Sequence, residues 1–247
     1  MAYDSAFAEV YDTFTQNTEV EKRTAFLHAL LCRFGIKDGI LLDLACGTAK
    51  LSEAFIKLGY DVICTDASYN MLTKARERLE KYGNRALILS QDMRELDLFG
   101  TIHACICTLD SINHITDERE VQTVFDRVSL FTEPDGVFIF DVNTVYKHRE
   151  ILGNNTFVYE NDTDFLVWQN DYNPSDNTVQ MTIDIFTFDG NQKYTRASED
   201  IVERAYETDE IIRMLKKAGF RKTYCFGDLK DSAPVDTEER IYFAAIK

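Results

Sequence analysis

The chain has 247 residues, 45% of them apolar, and a formal charge of −15. That length suits one large domain, or a domain with an insertion. The acidic balance, with no basic run, argues against a nucleic-acid partner, whose phosphates demand Lys and Arg. No apolar run reaches membrane-spanning length, and Met1-Ala2-Tyr3-Asp4 lacks the basic-then-apolar character of a leader. Six cysteines occur with no C-x-x-C pair, which reads as buried reduced thiols and a cytoplasmic protein.

Residues 1–17 are aromatic and polar, with Tyr3, Phe7, Tyr11 and Phe14. Thr18 to Phe34 reads as a helix: Thr18 and Glu21 make a capping box, Val20, Leu27, Leu31 and Phe34 share a face, and Gly35 stops it. Gly39-Ile40-Leu41-Leu42-Asp43 then reads as a strand buried on both faces and ending in a carboxylate. Ala45, Gly47 and Ala49 alternate through the next turn, so no large side chain fills it. Backbone N–H groups there can approach a ligand closely, and the next helix aims its positive end at the same place. The sequence Gly47-Thr48-Ala49-Lys50-Leu51-Ser52 does not match the G-x-G-x-x-G of nicotinamide or flavin sites. A carboxylate just before the turn suits a cationic amino-acid end better than a pyrophosphate.

Leu51, Ala54, Phe55 and Leu58 mark the following helix, and Asp61 to Asp66 a second strand ending in an acid. Asp66 lies 19 residues after Gly47, about the spacing at which a carboxylate reaches ribose hydroxyls; the alternative role is a helix N-cap. Met71, Leu72, Ala75 and Leu79 form a helical stripe. Ala86–Leu89 is the third strand, followed by Ser90-Gln91-Asp92-Met93. Ile102–Thr108 is the fourth, followed by Leu109-Asp110-Ser111-Ile112-Asn113-His114. Ligands of open parallel sheets sit outside the carboxyl ends of the strands. The loop after strand four is therefore where a second substrate should stand, with Asp110, Ser111, Asn113 and His114 its candidates. Asp117 caps a helix with Val121, Val124, Phe125, Val128 and Phe131 buried, Pro134-Asp135-Gly136 turns, and Val137–Val142 is the fifth strand.

About 65 residues then separate Asn143 from the next helix at Thr208, too many for a plain connection. Val179, Met181, Ile183 and Ile185 alternate there with Gln180, Thr182 and Asp184, and turn residues recur at 161–164, 173–177 and 189–191. The pattern predicts a four-stranded antiparallel meander over residues 144–206. It stands over the cleft as a lid, or it is an oligomerisation sheet. Glu203, Arg204 and Tyr206 approach the cleft where the chain returns to the core. Arg204 and Tyr206 share a face; they line an acceptor pocket or tie insert to core. Thr208 caps a helix closed by Gly219, and Phe220–Phe226 and Ile241–Ile246 are the last strands.

Asp43, Gly47, Asp66, Asp92 and the loop at Asp110, in this order and spacing, resemble the class I S-adenosylmethionine (SAM)-dependent methyltransferases. The inserted sheet and the Leu109-Asp110-Ser111-Ile112-Asn113 loop are similar to small-molecule members such as glycine and amino-sugar N-methyltransferases. The resemblance implies a Rossmann-like α/β fold: a seven-stranded, mostly parallel sheet flanked by helices, with an inserted antiparallel β-sheet subdomain. Residues 1–143 and 207–247 would form the SAM-binding domain and 144–206 the insert. It further implies SAM contacts at Asp43, Ala45, Gly47, Asp66, Ala67, Met71, Gln91, Asp92, Met93 and Leu109. Asp66 would hold the ribose, with Asp92 at the adenine amino group. Tyr11 either closes over the cofactor or packs on the core.

The expected reaction is methyl transfer to N or O of a small-molecule acceptor. Asp110, His114 and Tyr206 are the candidate catalytic groups, and Ser111, Asn113 and Arg204 the candidate acceptor-binding groups. The four histidines are scattered without metal-ligand spacing, so no metal is expected. A SAM-binding protein without turnover and a nicotinamide oxidoreductase are the rival readings. Nothing in the sequence fixes the oligomeric state or the acceptor.

Overall fold

The computed structural model describes residues 19–188, 190 and 193–247. Five α-helices and eleven strands are described: α1 Val20–Arg33, β1 Ile40–Leu44, α2 Lys50–Lys57, β2 Asp61–Asp66, α3 Tyr69–Leu79, β3 Ala86–Ser90, β4 Ile102–Cys107, α4 Glu118–Phe131 and β5 Thr132–Asn143 come first. Then follow β6 Thr156–Glu160, β7 Asp164–Asn173, β8 Thr178–Phe188, β9 Tyr194–Arg204, α5 Thr208–Lys217, β10 Lys222–Gly227 and β11 Arg240–Ile246.

The main sheet runs β10-β11-β5-β4-β1-β2-β3. β1 pairs in parallel with both β2 and β4, so strand order reverses at β1 and the carboxyl tips of β1 and β4 open a crevice. Only β11 runs antiparallel, to β5 and β10. Alternate residues of each central strand face opposite layers. Leu42, Leu44, Cys105, Cys107, Phe138 and Phe140 meet α4 and α5 on one side. Leu41, Ala104, Ile106, Val137 and Ile139 meet α1, α2 and α3 on the other. Both layers exclude water, which explains why these strands read as continuous apolar runs.

The Pro134-Asp135-Gly136 segment is not a turn before β5 but a kink within it. Asp135 has φ 66, and the β4–β5 register jumps between Ile102↔Thr132 and Ala104↔Val137. A Cβ on Gly136 would come within 2.6 Å of Thr132 Cγ2 and 2.9 Å of the His103 carbonyl oxygen, so the kink requires glycine. The cap of α5 is also shifted by one residue. Glu207, not Thr208, is the N-cap, and the Glu207 N–H is accepted by Glu210 Oε2 at 2.9 Å. Thr18 and Tyr11 lie outside the described residues; Glu19 occupies the N-cap of α1.

Between β5 and α5 stands the second sheet, the antiparallel meander β6-β7-β8-β9. Val179, Met181, Ile183 and Ile185 are buried on its apolar face with Leu166 and Ile201. β9 enters the core directly: its last residues, Glu203 and Arg204, lie against the turn that follows β4.

Candidate active site

β1 and β2 each end in an acid at the crevice. Asp43 is 2% exposed and accepts a hydrogen bond from the Ser52 hydroxyl. Burial outweighs that bond, and the neighbouring Asp66 adds to it, so the Asp43 carboxyl is pushed up to about 7. Between the acids the chain turns through three left-handed residues, Ala45 (φ 58), Gly47 (φ 54) and Ala49 (φ 61). Two of them are alanine, at a cost of roughly 1 kcal/mol each. Asp66 holds this loop in place: Oδ2 accepts the Gly47 N–H at 2.8 Å and Oδ1 accepts the Ser68 N–H at 2.7 Å. Burial raises the Asp66 carboxyl, and these two N–H groups act against that. A carboxylate has about four acceptor sites, so two bonds leave capacity for a ligand's hydroxyls.

After β3, Asp92 accepts from Arg94 Nε at 2.9 Å and Nη2 at 2.6 Å, while Arg94 Nη1 reaches Glu120 at 2.9 Å. The Arg94 guanidinium holds the Asp92 carboxyl below its usual range.

The loop after β4 is built by partners far away in sequence. Leu109 (φ 58) and Asp110 (φ 57) are both left-handed. Their N–H groups are accepted by the two oxygens of the fully buried Asp141 on β5, each at 2.9 Å. Arg240, at the start of β11, donates to both Asp141 and Asp110. Burial alone would raise Asp110, but Arg240 and then Lys147 outweigh it and hold the carboxyl well below the usual range.

One cavity of about 340 Å³ joins these parts, a size suited to a small ligand. Asp43, Ala45, Gly47, Asp66, Ala67 and Met71 line it. Gln91, Asp92, Met93, Leu109, Ser111 and His114 line it as well. Sequence reasoning missed Arg23 of α1, which is 6% exposed, lines the same cavity and stands 3.8 Å from Asp141. It stands in the charged run Glu21-Lys22-Arg23, so nothing local set it apart.

Four expected site residues are placed elsewhere. The Tyr206 hydroxyl donates to the Ile115 carbonyl and its ring lies in the core, so it does not face the cavity. Burial also raises its pKa, which opposes a role as base. Arg204 sits over the Tyr206 ring at 4.6 Å, donates to the Thr116 carbonyl at 3.2 Å and pairs with Glu210. Asn113 is fully buried and clasps backbone: it donates to the Asn143 and Arg204 carbonyls and accepts the Asn143 N–H. The Asp110 carboxylate is engaged by Arg240 beside the cavity wall rather than lining it. Of the acceptor-side candidates, Ser111 and His114 reach the cavity, and the Ser111 hydroxyl already donates to the Thr108 carbonyl at 2.8 Å.

Asp110, His114 and Glu203 bring ligand-type atoms within 4.8 Å of one another. Arg240 and Lys147 beside them already supply countercharge, so the cluster has little to offer a divalent cation.

A family profile described as a methyltransferase domain matches residues 41–136, which span β1 through the kink of β5. The chain is 30% identical over 242 residues to the putative methyltransferase YqeM of Bacillus subtilis (strain 168), covering 98% of this chain and 96% of that protein. It is 30% identical over 141 residues to the dTDP-3-amino-3,6-dideoxy-alpha-D-glucopyranose N,N-dimethyltransferase of Streptomyces fradiae, about half of each chain. The crystal structure of an S-adenosylmethionine-dependent methyltransferase from Clostridium acetobutylicum ATCC 824 superposes with a TM-score of 0.88 at 30% identity, over 98% of this chain and 97% of that one. The acids at the tips of β1 and β2, the small-residue loop between them and the cavity reaching the β4 loop fit the cationic nucleoside of that cofactor. The chain belongs to the SAM-dependent methyltransferases.

Proposed function

We propose that the enzyme methylates the nitrogen of a small amine. The observation that carries this is one cavity lined both by Asp43 and Asp66, acids suited to a cationic donor, and by the His114 imidazole and a further acid, Glu120. The acidic overall field favours a cationic acceptor. Relatives named as glycine/sarcosine N-methyltransferase in Halorhodospira halochloris and as amino-sugar dimethyltransferase in Streptomyces fradiae support nitrogen over oxygen.

In this reading Asp66 would take the ribose hydroxyls, and Met71, Gln91, Asp92, Met93 and Leu109 would hold the adenine. Asp43 and the Ala45–Gly47 loop hold the methionine end, with Arg23 at its carboxylate. When bound, SAM supplies a methyl group on a sulfonium, and the carbon–sulfur electron pair stays on sulfur as the new N–C bond forms. The protein's part is alignment, which can lower the barrier by roughly 7–11 kcal/mol, and acceptance of the amine's proton. His114 is the base, because of Asp110, His114 and Tyr206 it alone lines the cavity. Residues 144–206 form an acceptor-side subdomain on a core of 1–143 and 207–247, in a cytoplasmic enzyme.

The test is transfer of a labelled methyl group from SAM to a panel of glycine, sarcosine, amino sugars and matched alcohols, with mass detection of product. Amine products with wild type, and their loss in His114→Gln, support the reading. Methylation confined to the alcohols overturns it.

A further inference from the structure

Behind His114 stands a buried chain of groups centred on Glu203. His114 closes the 3₁₀ turn Ser111–His114, and its Nε2 lies 3.7 Å from Glu203 Oε1. Glu203 is 3% exposed and comes from β9, the last strand of the inserted sheet. Its other oxygen, Oε2, accepts from Asn143 Nδ2 at 3.1 Å and faces His148 Nε2 at 3.4 Å. His148 is wholly buried, its Nδ1 stands 3.3 Å from the Asn177 carbonyl, and its Nε2 makes no hydrogen bond of standard geometry. Asn143 is fixed in turn: Lys147 Nζ donates to its Oδ1 at 2.9 Å, and Asn113 holds its backbone at both ends. The amide orientation of Asn143 therefore follows from its partners. Its Oδ1 belongs to Lys147 and its Nδ2 to Glu203.

We propose that Glu203 is a positioning residue that fixes the tautomer of His114 and takes up the charge His114 acquires when it accepts the acceptor's proton. The inference rests on the reading of His114 as base. The proton step balances simply. An N–H bond of the acceptor ammonium breaks, its electron pair stays on nitrogen as the nucleophile, and the proton joins the basic ring nitrogen of His114. A carboxylate facing Nε2 favours a proton there, which leaves Nδ1 as the basic nitrogen. At 3.7 Å the contact is long for a hydrogen bond and close for an ion pair, so it strengthens as the ring becomes cationic. Stabilisation that grows along the reaction lowers its barrier, whereas stabilisation of the ground state does not.

Among the described residues, the other charged groups at this spot do not replace Glu203. Asp110 is paired with Arg240, Asp141 with Arg240 and Arg23, and Lys147 is directed at Asn143. On the cavity side, Asp66 is bonded to Gly47 and Ser68, and Glu120 to Arg94. Through Glu203, the inserted sheet contributes one side chain to the catalytic apparatus.

The experiment is long-range 1H–15N NMR of the full chain labelled at histidine, in mildly alkaline buffer. Four histidines give four ring patterns, and the one missing from His114→Gln is His114. Wild type should show His114 protonated at Nε2. In Glu203→Gln the amide oxygen stays on the side of Asn143 Nδ2 and His148 Nε2, so the amide NH2 faces His114, and the ring should switch to the Nδ1-protonated form. A structural role for Glu203 alone would not move that signal. A wild-type His114 protonated at Nδ1, or an unchanged tautomer in Glu203→Gln, overturns the proposal. If Glu203→Gln does not fold, the wild-type tautomer decides the matter. Amine methylation that persists in His114→Gln sinks the base reading instead, and leaves the tautomer result to stand by itself.

Discussion

The Asp66 carboxylate accepts the backbone N–H of Gly47 at 2.8 Å, so the tip of the second strand holds the loop that follows the first. Asp66, the proposed ribose ligand, is thus a structural group as well. Its other oxygen holds Ser68, the N-cap of α3, whose own hydroxyl accepts from Met71.

Asp66→Ala should therefore do two things. SAM affinity, read by calorimetry, should fall by at least about tenfold, because ribose hydroxyls lose a charged acceptor worth about 1.5–3 kcal/mol. Stability should fall as well, by about 1–3 kcal/mol, because two backbone N–H groups lose their acceptor. Asp66→Asn keeps an acceptor oxygen and should recover part of the stability before it recovers affinity. A SAM Kd unchanged in Asp66→Ala would remove Asp66 from the cofactor site.

Asp43 predicts a proton coupled to cofactor binding. Its carboxyl is pushed up to about 7 by burial, so below that pH the ligand-free enzyme holds a proton there. The sign follows from the raised value. Between the unfolded value of 3.8 and about 7, the unfolded chain ionises and the folded one does not, so Asp43 lowers stability as pH rises through that window. A cation bound beside Asp43 favours the carboxylate, so the proton should leave on binding. SAM affinity should then rise with pH up to about 7 and level off above it. Calorimetry near pH 6 in buffers of different ionisation enthalpy should register proton release approaching one per site, abolished in Asp43→Asn. Equal heats in all buffers would refute the coupling.

How much of this was legible depended on range. The strand tips were readable because a buried strand, its terminal acid and the turn lie within ten residues and leave a local pattern. Asp43, Asp66 and Asp92 accordingly fall on one cavity. The β4 loop was located correctly, but its interior was not legible. Asp110 is bonded to Arg240 across 130 positions, and Asn113 to Arg204 across 91. No periodicity marks such pairs. Arg240 lies just before the last expected strand, Ile241–Ile246, and Asp141 inside the fifth, Val137–Val142, with nothing local to mark either. Arg204 and Tyr206 were ambiguous because a shared face does not say which layer that face meets. Tyr206 meets the core.

Arg240→Met tests the clasp on the β4 loop. It would leave the fully buried Asp141 and the half-buried Asp110 without their guanidinium; removing one partner of a buried pair costs about 3–5 kcal/mol. The wild-type pair also predicts acid sensitivity. Asp110 titrates lower folded than unfolded, so its stabilising effect is complete above the ordinary 3.8 and fades as pH falls below it. Urea titrations of both proteins at several pH values should show the variant less stable near neutrality and the gap narrowing in acid. Equal stability at neutral pH would mean that the clasp contributes nothing.

Tyr206→Phe separates a structural tyrosine from a catalytic one. The ring is 3% exposed, the hydroxyl donates to the Ile115 carbonyl, and Arg204 covers one face. Removing the hydroxyl leaves that carbonyl without its partner while the phenyl ring still fills the core. Thermal unfolding should register a loss of about 1–3 kcal/mol. The catalytic rate should stay within about threefold of wild type, since the lost oxygen is turned away from the cavity. Ile115 does line the cavity, so a small rise in the acceptor's KM is the expected trace of a shifted backbone. A tyrosinate base would give the opposite pattern: stability nearly intact, kcat down by the 10²–10⁴-fold typical of a lost general base, and KM little changed. Burial already raises the phenol's pKa and so disfavours the tyrosinate. The kcat-against-stability split decides between the two roles.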